Sequence, residues 1–193
     1  MLLGVSAPAK IPKSAQVAGS ETTRVETAAA DSMQRKIDFL KRNATITPAD
    51  PRPTVFLQTE INSYFAQHRV KLPEGIMSVN FNLAPETVTA KTRVDFDQLT
   101  ANQRSYNPLL AIFSGVHDVQ VVAIASGTGG IAKVYVRSVT LDGVSVPRMA
   151  LDMFVHRFVN PKYPSISLDG EYKLPVRIDT VTIGDRRGTV TQR

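Results

Sequence analysis

No cysteine occurs among the 193 residues. Disulfides, thiolate metal sites and thiol nucleophiles are excluded, although the redox compartment stays undecided. Long apolar runs are also missing: no stretch approaches the roughly 20 residues that a membrane-spanning helix needs. Histidine is scarce. His68, His117 and His156 fall on three different elements with no H-x-H or H-x-x-x-H spacing, so no metal site is expected. Lys and Arg outnumber Asp and Glu 23 to 17, giving a net charge of +6, yet they form no block. Scattered charge reads first as a solvated surface, and second as attraction for anionic phospholipid, nucleic acid or acidic polymers. Nucleic acid is set aside because Tyr and Phe sit on apolar phases and are not interleaved with Arg and Lys on a wet face.

What is present is a 42% hydrophobic chain, long enough for one domain with a real core. Met1–Ala9 is apolar and closes on Ala7-Pro8-Ala9, an A-x-A-like site, so it reads as the remnant of a secretory signal; an ordinary floppy terminus explains it equally well. Residues 10–30, rich in Ala, Ser, Thr and Val, read as a disordered leader, which makes residues 1–30 a leader and residues 31–193 a single domain. A helix is expected over Asp31–Arg42, capped by Asp31, with Met33, Ile37 and Leu40 on one stripe and Asn43 as the stop. Pro48, Pro51 and Pro53 mark a linker. Val55–Gln58 reads as a strand, and Thr59 as the cap of a helix over Glu60–His68, whose buried face is Ile61, Tyr64 and Phe65.

Two alternating segments follow, Met77–Leu83 and Glu86–Phe96, with the period of two of an antiparallel sheet wet on one side. Asn107-Pro108 opens a short helix bearing Leu109, Leu110, Ile112 and Phe113, with Gly115 at its end. Val119–Ala125 and Ile131–Leu141 are strands around the turn Gly127-Thr128-Gly129-Gly130. The second is apolar in both phases, as a central or bulged strand would be. Asp142-Gly143 is another turn. Pro147 starts and Asn160-Pro161 ends a helix over Met149–Val159 whose apolar residues cover most of its circumference, with Asp152 and His156 spaced to pair. Pro161–Pro175 is a crossing. Val176–Ile183 is a strand whose phase slips near Thr180, and Thr189–Gln192 pairs as an edge.

Ser114, His117 and Asp118 lie close in sequence, but adjacency does not place a nucleophile, base and orienter in contact. Turn chemistry accounts for them, and no catalytic residue is assigned. The run Gly127–Gly130 lacks the Lys-Ser/Thr of a phosphate loop and joins strand to strand, so it is read as a hairpin.

The stretch Thr59-Glu60-Ile61-Asn62-Ser63-Tyr64-Phe65 resembles the helix start of small bacterial envelope proteins of the tubular lipid-binding (TULIP-like) kind. The alternating strands after it, and Leu141-Asp142-Gly143-Val144-Ser145-Val146-Pro147 leading into an apolar helix, are similar too; the likeness spans roughly residues 54–183. The N-terminal lipoprotein cysteine of some members is absent. The resemblance implies an α+β fold in which a curved antiparallel sheet wraps a long apolar helix, with additional short helices. It implies a groove lined by Ile61, Tyr64 and Phe65, faced by Met153, Phe154 and Phe158; the apolar pattern adds Leu110 and Phe113. The expected function is an exported, periplasmic or otherwise extracytoplasmic, non-enzymatic carrier of lipid or another apolar molecule, without cofactor or metal. Lys91, Arg93 and Arg137 would attract an anionic membrane surface. The alternative is a structural or protein-interaction module with a filled core and no small ligand.

Overall fold

A computed structural model describes residues 13–100 and 108–193, with side chains from residue 23 onward. The Met1–Ala9 segment and the Asn107 cap lie outside the described residues. Residues 13–30, read from composition as part of a leader, are helical: α1 runs Lys13–Asn43 without a break. Asp31 therefore lies inside the helix, where it pairs with Arg69 at 2.6 Å and caps no terminus. No proline interrupts the sequence between Pro12 and Pro48, and alanines recur through it. Helix propensity summed over that length outweighs the missing apolar periodicity.

One antiparallel sheet of nine strands forms the rest of the frame. Its strands are β1 (Thr54–Leu57), β2 (Ile76–Ala84), β3 (Thr87–Asp95), β4 (Val116–Thr128), β5 (Ile131–Leu141), β6 (Val144–Ser145), β7 (Asp169–Lys173), β8 (Ile178–Gly184) and β9 (Arg187–Gln192). The shorter helices are α2 (Gln58–Ala66), α3 (Phe96–Leu99) and α4 (Arg148–Phe154), with a 3-10 turn at Pro108–Leu110. The class is α+β. The segment expected as a helix, Met149–Val159, is helical, but it is not a long apolar helix wrapped by the sheet: α4 has seven residues and gives way to a five-residue π-turn, Val155–Val159, closed by Asn160 N–H to the Val155 carbonyl. Nor is that segment buried all round, since Met149 is 62% exposed. Composition records how apolar a helix is, not which side of it meets the sheet. Asp152 lies 4.0 Å from Arg148, one turn earlier, and not against His156. No helix among the described residues is long and apolar enough to cross a membrane.

Three bulges set the strand phases. Ile76 and Ser78 pair with Val94 and Arg93, which leaves Met77 as the extra residue; it turns outward, 56% exposed, where simple alternation had placed it inward. Val122 and Ala123 pair with Ser138 and Val136, so Arg137 is extra and Val136 and Val139 share one face. This is why β5 reads as apolar in both phases. Asp179 is extra in β8, at the slip expected near Thr180. β9 is an interior strand, between β1 and β8, and not the edge that its length suggested. β7 lies inside the Pro161–Pro175 crossing and pairs with β5.

Register places both cores on one face of the sheet. Alternation along β4 puts Val119 and Val121 on the same side as Gly127, which sits opposite Val181. The first core joins Val94, Val119, Val139 and Leu141 of the sheet to Ala150, Leu151, Phe154 and Phe158, with Phe96, Leu110 and Phe113. The second joins Phe56, Val190 and Leu40, with Met33, Ile37, Ile61 and Val181 packed against them. The α1 stripe expected from the sequence thus docks on the sheet. Each large side chain buried here contributes up to roughly 1.5–3 kcal/mol.

Two hairpins meet end to end along β4. The β2–β3 turn at Pro85–Glu86 abuts the β8–β9 turn at Asp185–Arg186: Glu86 N–H donates to the Ile183 carbonyl, Arg186 N–H to Leu83, and Ala125 N–H to Glu86, each at 3.0 Å. The longer β4–β5 hairpin runs past this junction and ties the two ends together. Its own turn, Gly129-Gly130, has φ of 62° and 80°, the conformation that two glycines favour.

Candidate functional site

The helix start singled out in the sequence is built from polar anchors. Glu60 is buried, and its carboxylate accepts from Leu57 N–H at 2.8 Å, from the Lys36 ammonium at 2.6 and 2.7 Å, and from the Ser32 hydroxyl. Burial raises its pKa, but the Lys36 and Ser32 hydrogen bonds and the Leu57 N–H outweigh it and hold the carboxyl below its usual range. Leu57 takes the N-cap position, not Thr59. Asn62 acts as a substitute strand: its Nδ2 donates to the Phe81 carbonyl at 2.9 Å and its Oδ1 accepts from Phe81 N–H at 2.8 Å. Gln58 accepts from Leu83 N–H at 2.7 Å. Together they satisfy an edge of β2 that β3 leaves unpaired.

The eight residues expected to line a groove fall into two separate sets. Ile61 packs in the second core, Tyr64 is buried with its hydroxyl donating to Gln34 at 2.8 Å, and Phe65 meets the Phe81 ring edge-on at 5.1 Å. Leu110, Phe113, Phe154 and Phe158 are buried in the first core, with Met153 half-buried against it. The two sets do not face each other. Phe154 is a hub, its ring 4.3 Å from Phe113, 5.5 Å from Phe96 and 5.3 Å from Phe158. Stacking at these distances fills the space where a slot was expected.

Open apolar surface lies elsewhere. Between the cores, the inner sheet face carries Val79, Val88, Ala90 and Val134, all half-buried. At the α4 end, a groove of about 740 Å³ is lined by Leu72, Pro73, Ile76, Leu99, Val159 and Ile166, with Phe158 the one expected residue to reach it. Lys71, Glu74, Lys162 and Tyr163 complete the lining. Gly75 lets its wall close: at φ +86° its added Cβ would lie 2.4 Å from the Asp95 carbonyl oxygen. The volume is within the range of small-molecule sites, and the composition suits an aliphatic ligand with a polar end. Sequence reading missed Leu72, Pro73, Tyr163 and Ile166 because they belong to Pro-punctuated connections, 71–75 and 160–166, which carry no periodicity. The presence of Leu72, Tyr163 and Ile166 within those connections was the available signal.

His117 does not form a Ser-His-Asp arrangement. Nδ1 lies 2.6 Å from Asp142 Oδ2 and Nε2 lies 2.7 Å from the Ser114 carbonyl, while the Ser114 hydroxyl donates to the Ala111 carbonyl. Two acceptors around one ring are both satisfied only when each nitrogen carries an N–H, so the site favours the imidazolium. The Asp142 hydrogen bond raises the ring's pKa, burial works against it, and the Ser114 carbonyl adds to the rise. His117 in turn holds Asp142 below the usual carboxylate range. Among the described residues no cluster of three or more potential metal ligands occurs. Neither protein-family models, curated proteins nor solved structures give a match to the chain.

Proposed function

We propose that the chain is a non-enzymatic carrier of lipid or a similar apolar molecule, exported and working outside the cytoplasm. The observation that carries this reading is the apolar groove at the α4 end, with Lys71 and Lys162 at its lining. Burying an acyl chain there would contribute about 0.8 kcal/mol per CH₂. The half-buried apolar strip between the two cores supports it, as does the placing of α2 and α4 on one face of a long antiparallel sheet. These are features a tubular lipid-binding fold would show, with the sheet curving around its helices. The close-packed phenylalanines favour the second reading, an interaction module with a filled core.

Organic extraction of the purified protein, followed by mass spectrometry, separates the two. The carrier yields about one apolar molecule per chain. Leu72→Glu, which puts a charge in the groove, loses that molecule while the folding transition stays cooperative. A clean extract, together with no uptake of a fluorescent fatty acid, would leave only the module.

A further inference from the structure

One end of the sheet gathers exposed apolar side chains. The start of β2, the end of β3, the start of β4 and the end of β5 meet there, as the pairs Ile76↔Val94, Val94↔His117 and Val119↔Leu141 show. At this end Met77, Val116 and Val144 are 56%, 45% and 72% exposed. Met149, in the first turn of α4, is 62% exposed, and Tyr163 and Ile166 on the groove lining are 47% and 42% exposed. A bulge holds Met77 outward, and its loss of alternation is a built feature of the strand. Surface apolar residues scattered singly need no explanation, but a group of this size on one end does.

We propose that this end docks on an anionic bilayer surface, with these side chains entering the interface and Lys71 and Lys162 meeting headgroups. The lysines outnumber Glu74, the acidic residue of the groove lining, and among the described residues no ion pair engages either of them. Tyr163 next to Lys162 combines an amphipathic ring and a long basic stem, the pair of residue types that settles at a membrane boundary. The groove opens on the same end, so an acyl chain leaving the bilayer would reach it without crossing water. The contact proposed is a peripheral one, made by side chains at the interface. The inference rests on the carrier reading only for that last route; the docking itself stands on the exposed side chains and the two lysines.

Co-sedimentation with vesicles tests it. The full chain binds phosphatidylglycerol:phosphatidylcholine (3:7) vesicles and binds pure phosphatidylcholine several-fold less. Met77→Asp with Met149→Asp weakens binding at least about tenfold. Lys71→Gln and Lys162→Gln each weaken it about fivefold on the anionic vesicles only. Ile131→Asp, at the opposite end of β5 and 42% exposed, leaves binding unchanged. None of the five substituted residues is buried, so folding is preserved and checked by circular dichroism. Absence of vesicle binding, or binding indifferent to the Met77/Met149 pair, would overturn the proposal. So would a concentration-dependent dimer in sedimentation that the same pair abolishes, since that assigns the patch to a second copy of the chain. Extracted lipid without vesicle binding refutes the docking and keeps the carrier; vesicle binding without extracted lipid does the reverse.

Discussion

At the scale of single residues, two buried or half-buried groups hold distant segments together. His117 joins the turn after the 3-10 segment to the β5–β6 turn through Ser114 and Asp142. Its folded pKa is raised, so its contribution is fully present below its unfolded value of about 6.5 and disappears as pH rises through the folded value. Asp142 is shifted down, so its contribution is present above its unfolded value of about 3.9 and disappears as pH falls through the folded one. The pair therefore stabilises most between those two values. The urea midpoint of the wild type should fall more between pH 6 and pH 9 than that of His117→Gln; parallel profiles would refute the assignment. The pairing was not legible in the sequence, because Asp142 is 25 positions away and Asp118 is adjacent. Gln192 is the second such residue. Buried in β9, it donates to the Leu40 carbonyl at the end of α1 and to the Val176 carbonyl, and accepts from Asn43, which itself binds Asp50. Val176 and Arg177 have φ of 48° and 56°, a left-handed turn built without glycine that needs outside support. Gln192→Leu orphans two carbonyls and an amide, and should lower the unfolding free energy by about 3 kcal/mol with an unchanged m-value.

At the scale of elements, most strands and both bulges in β5 and β8 can be traced to the alternation of apolar residues, because a half-covered sheet writes its phase directly into the chain. The helices were less readable. α1 is longer than its amphipathic part: residues 23–28 are exposed, so that stretch needs no apolar stripe. β7 was lost in a proline-rich crossing where only five residues pair. Asn62 shows how a helix can do a strand's work, a role that no spacing rule predicts. Asn62→Leu should destabilise the protein by about 2 kcal/mol and promote association through the uncovered β2 edge, seen as growth of light scattering. Asn80→Ala, on the wet face of β2, should change stability by less than about 0.5 kcal/mol.

At the scale of the whole molecule, the sequence pointed to one core around one helix, and the structure has two, side by side on one sheet face. The difference arises because alternation tells which face is buried and not how far along the sheet each helix lies. The two cores share none of their residues. Val139→Ala and Val190→Ala, one in each, should cost about 2 kcal/mol apiece and add to within about 0.5 kcal/mol in the double variant. A larger coupling in denaturant titrations would mean that the cores are one.

The abutting hairpins have a practical corollary. A hairpin tip is ordinarily the safest place to splice in a tag or a foreign loop. Here the tips at Pro85–Glu86 and Asp185–Arg186 press against each other. Extra residues at either would act as a wedge in the waist of the molecule, prising apart the groove-bearing end and the α1-bearing end and leaving the β4–β5 hairpin as their hinge.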